Sequence, residues 1–146
     1  MIDCLVTGDD IALQVGIHLK ECQVVVQSNL NSENYFKYFA NETNSQNSLE
    51  RSHVFSIGQF DPIDMETKSN LEKIRKNIVG KVIWLNNTKN SSAKLAVLEI
   101  ASEYNDVIID LSKYEFISES YLLTGQSSKK VAEDIKIQLY KNSQSK

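Results

Sequence analysis

The sequence predicts an α/β protein, and three observations predict it. Five short apolar, β-branched runs recur along the chain, segments with helical spacing separate them, and the runs are apolar throughout instead of alternating with polar residues. A strand that is hydrophobic on both faces has to be covered on both, which a parallel sheet between helices achieves. The expected architecture is therefore a three-layer α/β/α domain with a five-stranded, mostly parallel sheet.

The strand candidates, in order, are "IDCLVT" at 2–7, "CQVVVQ" at 22–27, "HVFSIG" at 53–58, "KVIWL" at 81–85 and "DVIIDL" at 106–111. Each is short and β-branched, as strands are. Helical spacing joins Ile11, Val15 and Leu19, then Tyr35 and Phe39, then Leu71, Ile74 and Ile78, then Leu95, Leu98 and Ala101, and finally Val131, Ile135 and Leu139. Asp64 is placed to cap the third of these helices and Gly80 to close it, while Ser91 or Ser92 caps the fourth. The polar stretch at 41–52 is a surface connection, because α/β units stand on both sides of it. A single domain over residues 1–141 is expected, with 142–146 as a disordered tail.

Right-handed crossovers in the doubly wound, flavodoxin-like order 2-1-3-4-5 bring the ends of strands one and three together at the switch point, where ligands of such sheets bind. "TGDD" (7–10) and "GQFD" (58–61) would then face one another.

Composition excludes several classes. Of the 146 residues, 16 are Lys or Arg and 19 are Asp or Glu, a net charge of -3, and no basic run interleaved with aromatics occurs. Nucleic acid is not an expected partner. No stretch approaches the roughly 20 apolar residues of a membrane-spanning helix, and the start, "MIDCLVTGDD", is acidic where a secretion signal is basic. A cytoplasmic protein follows. Cys4 lies in the first apolar run and is read as a buried reduced thiol; Cys22 lies at the end of the helix that follows, and two cysteines so placed make neither a metal pair nor a disulfide framework. His18 and His53 lack the spacing of a metal site and are read as core or surface residues. The charged run "EKIRKN" (72–77) reads as a solvated helix face. No cofactor is expected.

Strand-"TGDD"-helix near the start, "SIGQFDP" after strand three, "KVIWLNN" leading into a helix and an amphipathic final helix together resemble the SGNH, or GDSL-type, hydrolases, especially the short phage and bacterial ones. In that family the first block reads Gly-Asp-Ser, the third Gly-x-Asn-Asp and the last Asp-x-x-His. The resemblance places Gly8 and Asp9 in the first block, with Asp10 at the nucleophile's position. Gly58 and Asp61 match the third block, with Phe60 in place of the oxyanion-hole asparagine. In the last block Glu119 takes the acid's position and Leu122 that of the base histidine, and no histidine follows His53.

Acyl transfer needs a nucleophile deprotonated by a neighbouring base and donors already aimed at the oxyanion. Losing one donor costs about 10² to 10³ in rate and losing nucleophile or base about 10⁶. The resemblance thus implies a pseudoenzyme whose vestigial pocket holds Gly8, Asp9, Asp10, Gly58, Phe60, Asp61 and Leu122. At the start of a helix Asp10 is also a good N-cap, its charge matched to the helix dipole.

Two alternatives stand beside this reading. Asp9, Asp10, Asp61, Thr88 and Lys113 also resemble the layout of response-regulator receiver domains, in which carboxylates hold Mg²⁺ and one aspartate accepts a phosphoryl group. A residual esterase with a non-standard site is the other. Under the pseudoenzyme reading the protein works by binding a protein partner, a host factor or virion component if it is phage-encoded, or by forming a homodimer. The candidate anchors are Tyr35, Phe36, Tyr38, Tyr114, Phe116 and Tyr121.

Overall fold

The computed structural model describes residues 4–8, 10–19, 23–26, 52–56, 65–86, 91–118 and 122–144. They hold strands β1 (Cys4–Gly8), β2 (Gln23–Val26), β3 (Ser52–Ser56), β4 (Val82–Asn86) and β5 (Val107–Asp110). The helices among them are α1 (Asp10–Gly16), α2 (Met65–Asn77), α3 (Ser91–Tyr104) and α4 (Gly125–Gln144), with a 3-10 turn at Leu111–Lys113. The strands lie in the order β2-β1-β3-β4-β5, and every neighbouring pair is parallel. The protein is of the α/β class.

The sheet's side chains divide between two cores by the period-2 rule of a pleated strand. All five residues of β4 are buried: Ile83 and Leu85 enter a first core with Cys4, Val6 and Val54, while Val82 and Trp84 enter a second with Phe55. The helices divide in the same way. Ile11, Ala12 and Val15 of α1 and Val131, Ala132, Ile135 and Leu139 of α4 fill the first core, and Leu71 of α2 with Ala96, Val97, Ile100 and Ala101 of α3 fills the second.

Local chemistry sets the ends of the elements. Asn105, at φ 56°, holds the left-handed turn that stops α3, and the Asp106 amide donates back to the Ala101 carbonyl at 2.8 Å. Thr124 caps α4, its Oγ1 accepting from the Ser127 amide at 3.1 Å. The Asp110 carboxylate accepts from the Ser112 amide at 3.0 Å and starts the 3-10 turn. Before α4 the chain folds back on itself: the Ile117 amide donates to Leu122 O at 2.9 Å, the Thr124 amide to Glu115 O at 3.2 Å, and Phe116 and Leu123 form an antiparallel bridge.

Four sequence readings need correction. The face of α3 read as Leu95, Leu98 and Ala101 is instead Ala96, Val97, Ile100 and Ala101, with Leu95 58% and Leu98 39% exposed. Residues 95–101 are apolar at every position except Glu99, so spacing alone could not choose the side, and two alanines let the helix approach the sheet closely. Arg75, read as part of a solvated face, is buried with Leu71 and Ile78 at helical spacing. Cys4 is not a thiol but is disulfide-bonded, and it is fully buried. Finally, α4 continues to Gln144, into the segment expected as a tail, with no Gly or Pro between Gly125 and that residue to break it. Asp64 and the expected helix around Tyr35 and Phe39 lie outside the described residues.

Candidate functional site

Gly8 is the last residue of β1 and Asp10 the first of α1, so the strand-to-helix junction falls where the sequence placed it. Asp10 is half-buried, and its charge lies in the first turn of the helix. One turn on, on the same stripe of α1, the Gln14 amide binds the backbone of Leu123: Nε2 donates to the carbonyl at 2.8 Å and Oε1 accepts from the amide at 3.0 Å. Leu122, the residue at the base histidine's position, is half-buried on that clamped arm. Leu123 is fully buried, so both of its backbone groups would lack water without this glutamine.

The histidines lie elsewhere. His18, past the end of α1, brings Nε2 within 3.4 Å of Ser128 Oγ on α4. That hydroxyl also donates to Gly125 O at 2.9 Å. Ser128 is 2% exposed, which closes it to a substrate. His53 is fully buried near the start of β3, its ring stacked on Phe55 with centroids 5.7 Å apart.

Of the remaining pocket residues, Asp9, Gly58, Phe60 and Asp61 lie outside the described residues, as do Glu119 and, from the receiver-like set, Thr88. Lys113 is exposed at the end of the 3-10 turn. Among the described residues no three His, Cys, Asp or Glu side chains come together as a metal site, and no helix is long and apolar enough to cross a membrane. Among the expected partner-binding aromatics, Tyr35, Phe36, Tyr38 and Tyr121 lie outside the described residues. Tyr114 and Phe116 are half-buried and pack against the first core. The Tyr114 hydroxyl donates to the Asp134 carboxylate on α4, and burial followed by that carboxylate push its pKa up to about 12.

A buried ionic cluster escaped the sequence reading altogether. Arg75 makes a bidentate pair with Asp106, both bonds 2.6 Å, with side chains 7% and 3% exposed. Trp84 Nε1 donates to the same carboxylate at 3.0 Å, Arg75 Nη1 donates to Ile78 O at 3.2 Å, and the guanidinium lies 4.2 Å from the centre of the Tyr104 ring. Arg75, Tyr104 and Asp106 also line a cleft of about 280 Å³ with Gly80, Lys81 and Asn105. Its walls lead into the starts of β4 and β5, whereas Asp10 follows the end of β1; in a parallel sheet these are opposite edges. With every charge in the cluster paired, its work is to join α2, β4 and the end of α3.

No family model matches the chain, and no curated protein does. A solved structure of a pilus assembly-related protein from Burkholderia pseudomallei is similar over 94% of this chain and 91% of its own, at 10% identity and a TM-score of 0.46. That likeness carries no argument about what this chain does.

Proposed function

We propose that the protein is an SGNH-hydrolase-like domain without the family's catalytic set, a three-layer α/β/α domain that works by binding another protein. The observation that supports this best is the Gln14 clamp, which ties the arm bearing Leu122 to the helix that Asp10 begins. In the resembled family the same two places carry the base and the nucleophile. Here an acid and a leucine occupy them, and neither of the two histidines is on that arm. The vestigial pocket on this reading is Gly8, Asp9, Asp10, Gly58, Phe60, Asp61 and Leu122.

The candidate anchors for a partner are Tyr35, Phe36, Tyr38, Tyr114, Phe116 and Tyr121, of which Tyr114 and Phe116 are half-buried against the first core. A phage-encoded protein acting on a host factor, or a homodimer, fits this reading. The disulfide at Cys4 speaks against the cytoplasmic setting inferred from the acidic start, because disulfides persist in oxidising compartments.

Affinity capture with the immobilised protein, together with sedimentation of the free protein, tests the binding role. The expected result is one protein retained in stoichiometric amount, or a dimer, lost when Tyr35, Phe36 and Tyr38 are changed together to Ser. Stabilisation by Mg²⁺ with a phosphoryl mimic would favour the receiver-like alternative instead, since a ligand of the native state raises its stability.

A further inference from the structure

The disulfide at Cys4 has an identifiable second half. Cys4 is bonded through sulfur, is 0% exposed and belongs to the first core. A sulfur buried this deeply cannot meet one from another chain without unfolding β1. The sequence contains one other cysteine, Cys22. The parallel register of β1 and β2 pairs Leu5 with Gln23, the residues that directly follow the two cysteines, and continues through Val6 with Val24. Neighbouring strands run about 4.7–4.9 Å apart, inside the Cα separation of roughly 4.4–6.8 Å that a disulfide accepts.

We propose that Cys4 and Cys22 form an intramolecular disulfide that staples the sheet's edge, and that the protein matures where a small-molecule disulfide or an oxidoreductase can form it. Of the described strands, β2 pairs with β1 alone, so it has one row of backbone bonds where an inner strand has two. The bond closes β1 and α1 into one covalent loop and ties that loop to the residue just before β2. That loop carries Asp10 and Gln14, and therefore one side of the clamp on Leu123. The chemistry balances as thiol exchange. One cysteine thiolate attacks a disulfide such as oxidised glutathione and expels one thiolate, and the second cysteine then attacks the mixed disulfide and expels the other. Two electrons pass from the cysteine pair to the oxidant, and two protons to the released thiols.

The inference does not depend on the pseudoenzyme reading. The experiment is a thiol count and a melt. Full-length protein exposed to oxidised glutathione, then denatured, is expected to show no reactive thiol and to remain monomeric on a non-reducing gel, with a peptide map linking the two cysteine-containing peptides. A phosphine reductant is expected to lower the melting temperature by on the order of 10 °C, as opening a loop of this length implies. The C4S/C22S double variant should melt near the reduced wild type and ignore the reductant. Two reactive thiols after oxidation, a disulfide-linked dimer, or a wild-type melt unmoved by reductant would each overturn the proposal. If the double variant does not fold, the wild-type count and melt decide alone.

Discussion

Gln14 and Leu123, 109 residues apart, are joined by two hydrogen bonds in which a side-chain amide does for one backbone unit what a neighbouring strand would do. Both ends of the contact matter to the site. Asp10 lies one turn before Gln14, and Leu122 one residue before Leu123.

Replacing Gln14 by Ala leaves the amide and carbonyl of a fully buried residue without that partner. A buried group left unsatisfied costs about 1–3 kcal/mol. Urea unfolding of Gln14→Ala should show a loss of that order, and amide exchange at Leu123 should quicken beyond the global loss, because the arm is freed locally.

The Arg75–Asp106 pair sets a larger expectation. Asp106→Ala strands a buried guanidinium and the Trp84 indole N–H together, and breaking a buried pair from one side costs about 3–5 kcal/mol. Arg75→Met combined with Asp106→Leu should lose less than the sum of the two single changes, because neither charge is then left alone. Chemical denaturation of the single and double variants measures the difference directly.

The face of α3 gives a paired test. Ile100→Ala opens a cavity in the second core and should cost about 2–5 kcal/mol. Leu95→Lys, at a position 58% exposed, should stay within about 0.5 kcal/mol of wild type. A reversed ranking in thermal or urea unfolding would restore the face that spacing first suggested.

Tyr114 links stability to alkaline pH. Its folded pKa is raised from 10.0 to about 12, by burial first and then by the Asp134 carboxylate. A raised folded value favours the protonated form in the native state, so the contribution is fully present below the unfolded pKa near 10 and is lost as pH rises through 12. An ultraviolet titration should show one of the six tyrosines ionising late, and Tyr114→Phe should abolish that late step.

Much of this fold could be read in the sequence because burial writes itself as composition. "KVIWL" lies within a residue of β4, and Val131, Ile135 and Leu139 are the buried stripe of α4. What stayed hidden depends on partners distant in sequence. Nothing in "EKIRKN" distinguishes Arg75 from its solvated neighbours except its helical spacing from Leu71 and Ile78, and its counterion lies 31 residues away. Gln14 is an ordinary polar helix residue until its two bonds to Leu123 are seen. The disulfide left a fainter signal: Cys4 is the first residue of β1 and Cys22 precedes β2 in sequence, and the expected 2-1-3-4-5 order already made those strands neighbours. For the site, the strand-to-helix turn at Gly8 and Asp10 was legible, while the packing of Tyr114 and Phe116 against the first core was not, because apolar residues near a surface loop look alike whether they face solvent or core.

Hydrolysis of a short-chain nitrophenyl ester, followed for wild type and Asp10→Ala side by side, tests most directly whether the pocket has lost its chemistry. The pseudoenzyme account predicts that both proteins leave the ester at its spontaneous rate. Saturable turnover by the wild type that disappears in Asp10→Ala would contradict it and make the acid at the head of α1 a working nucleophile.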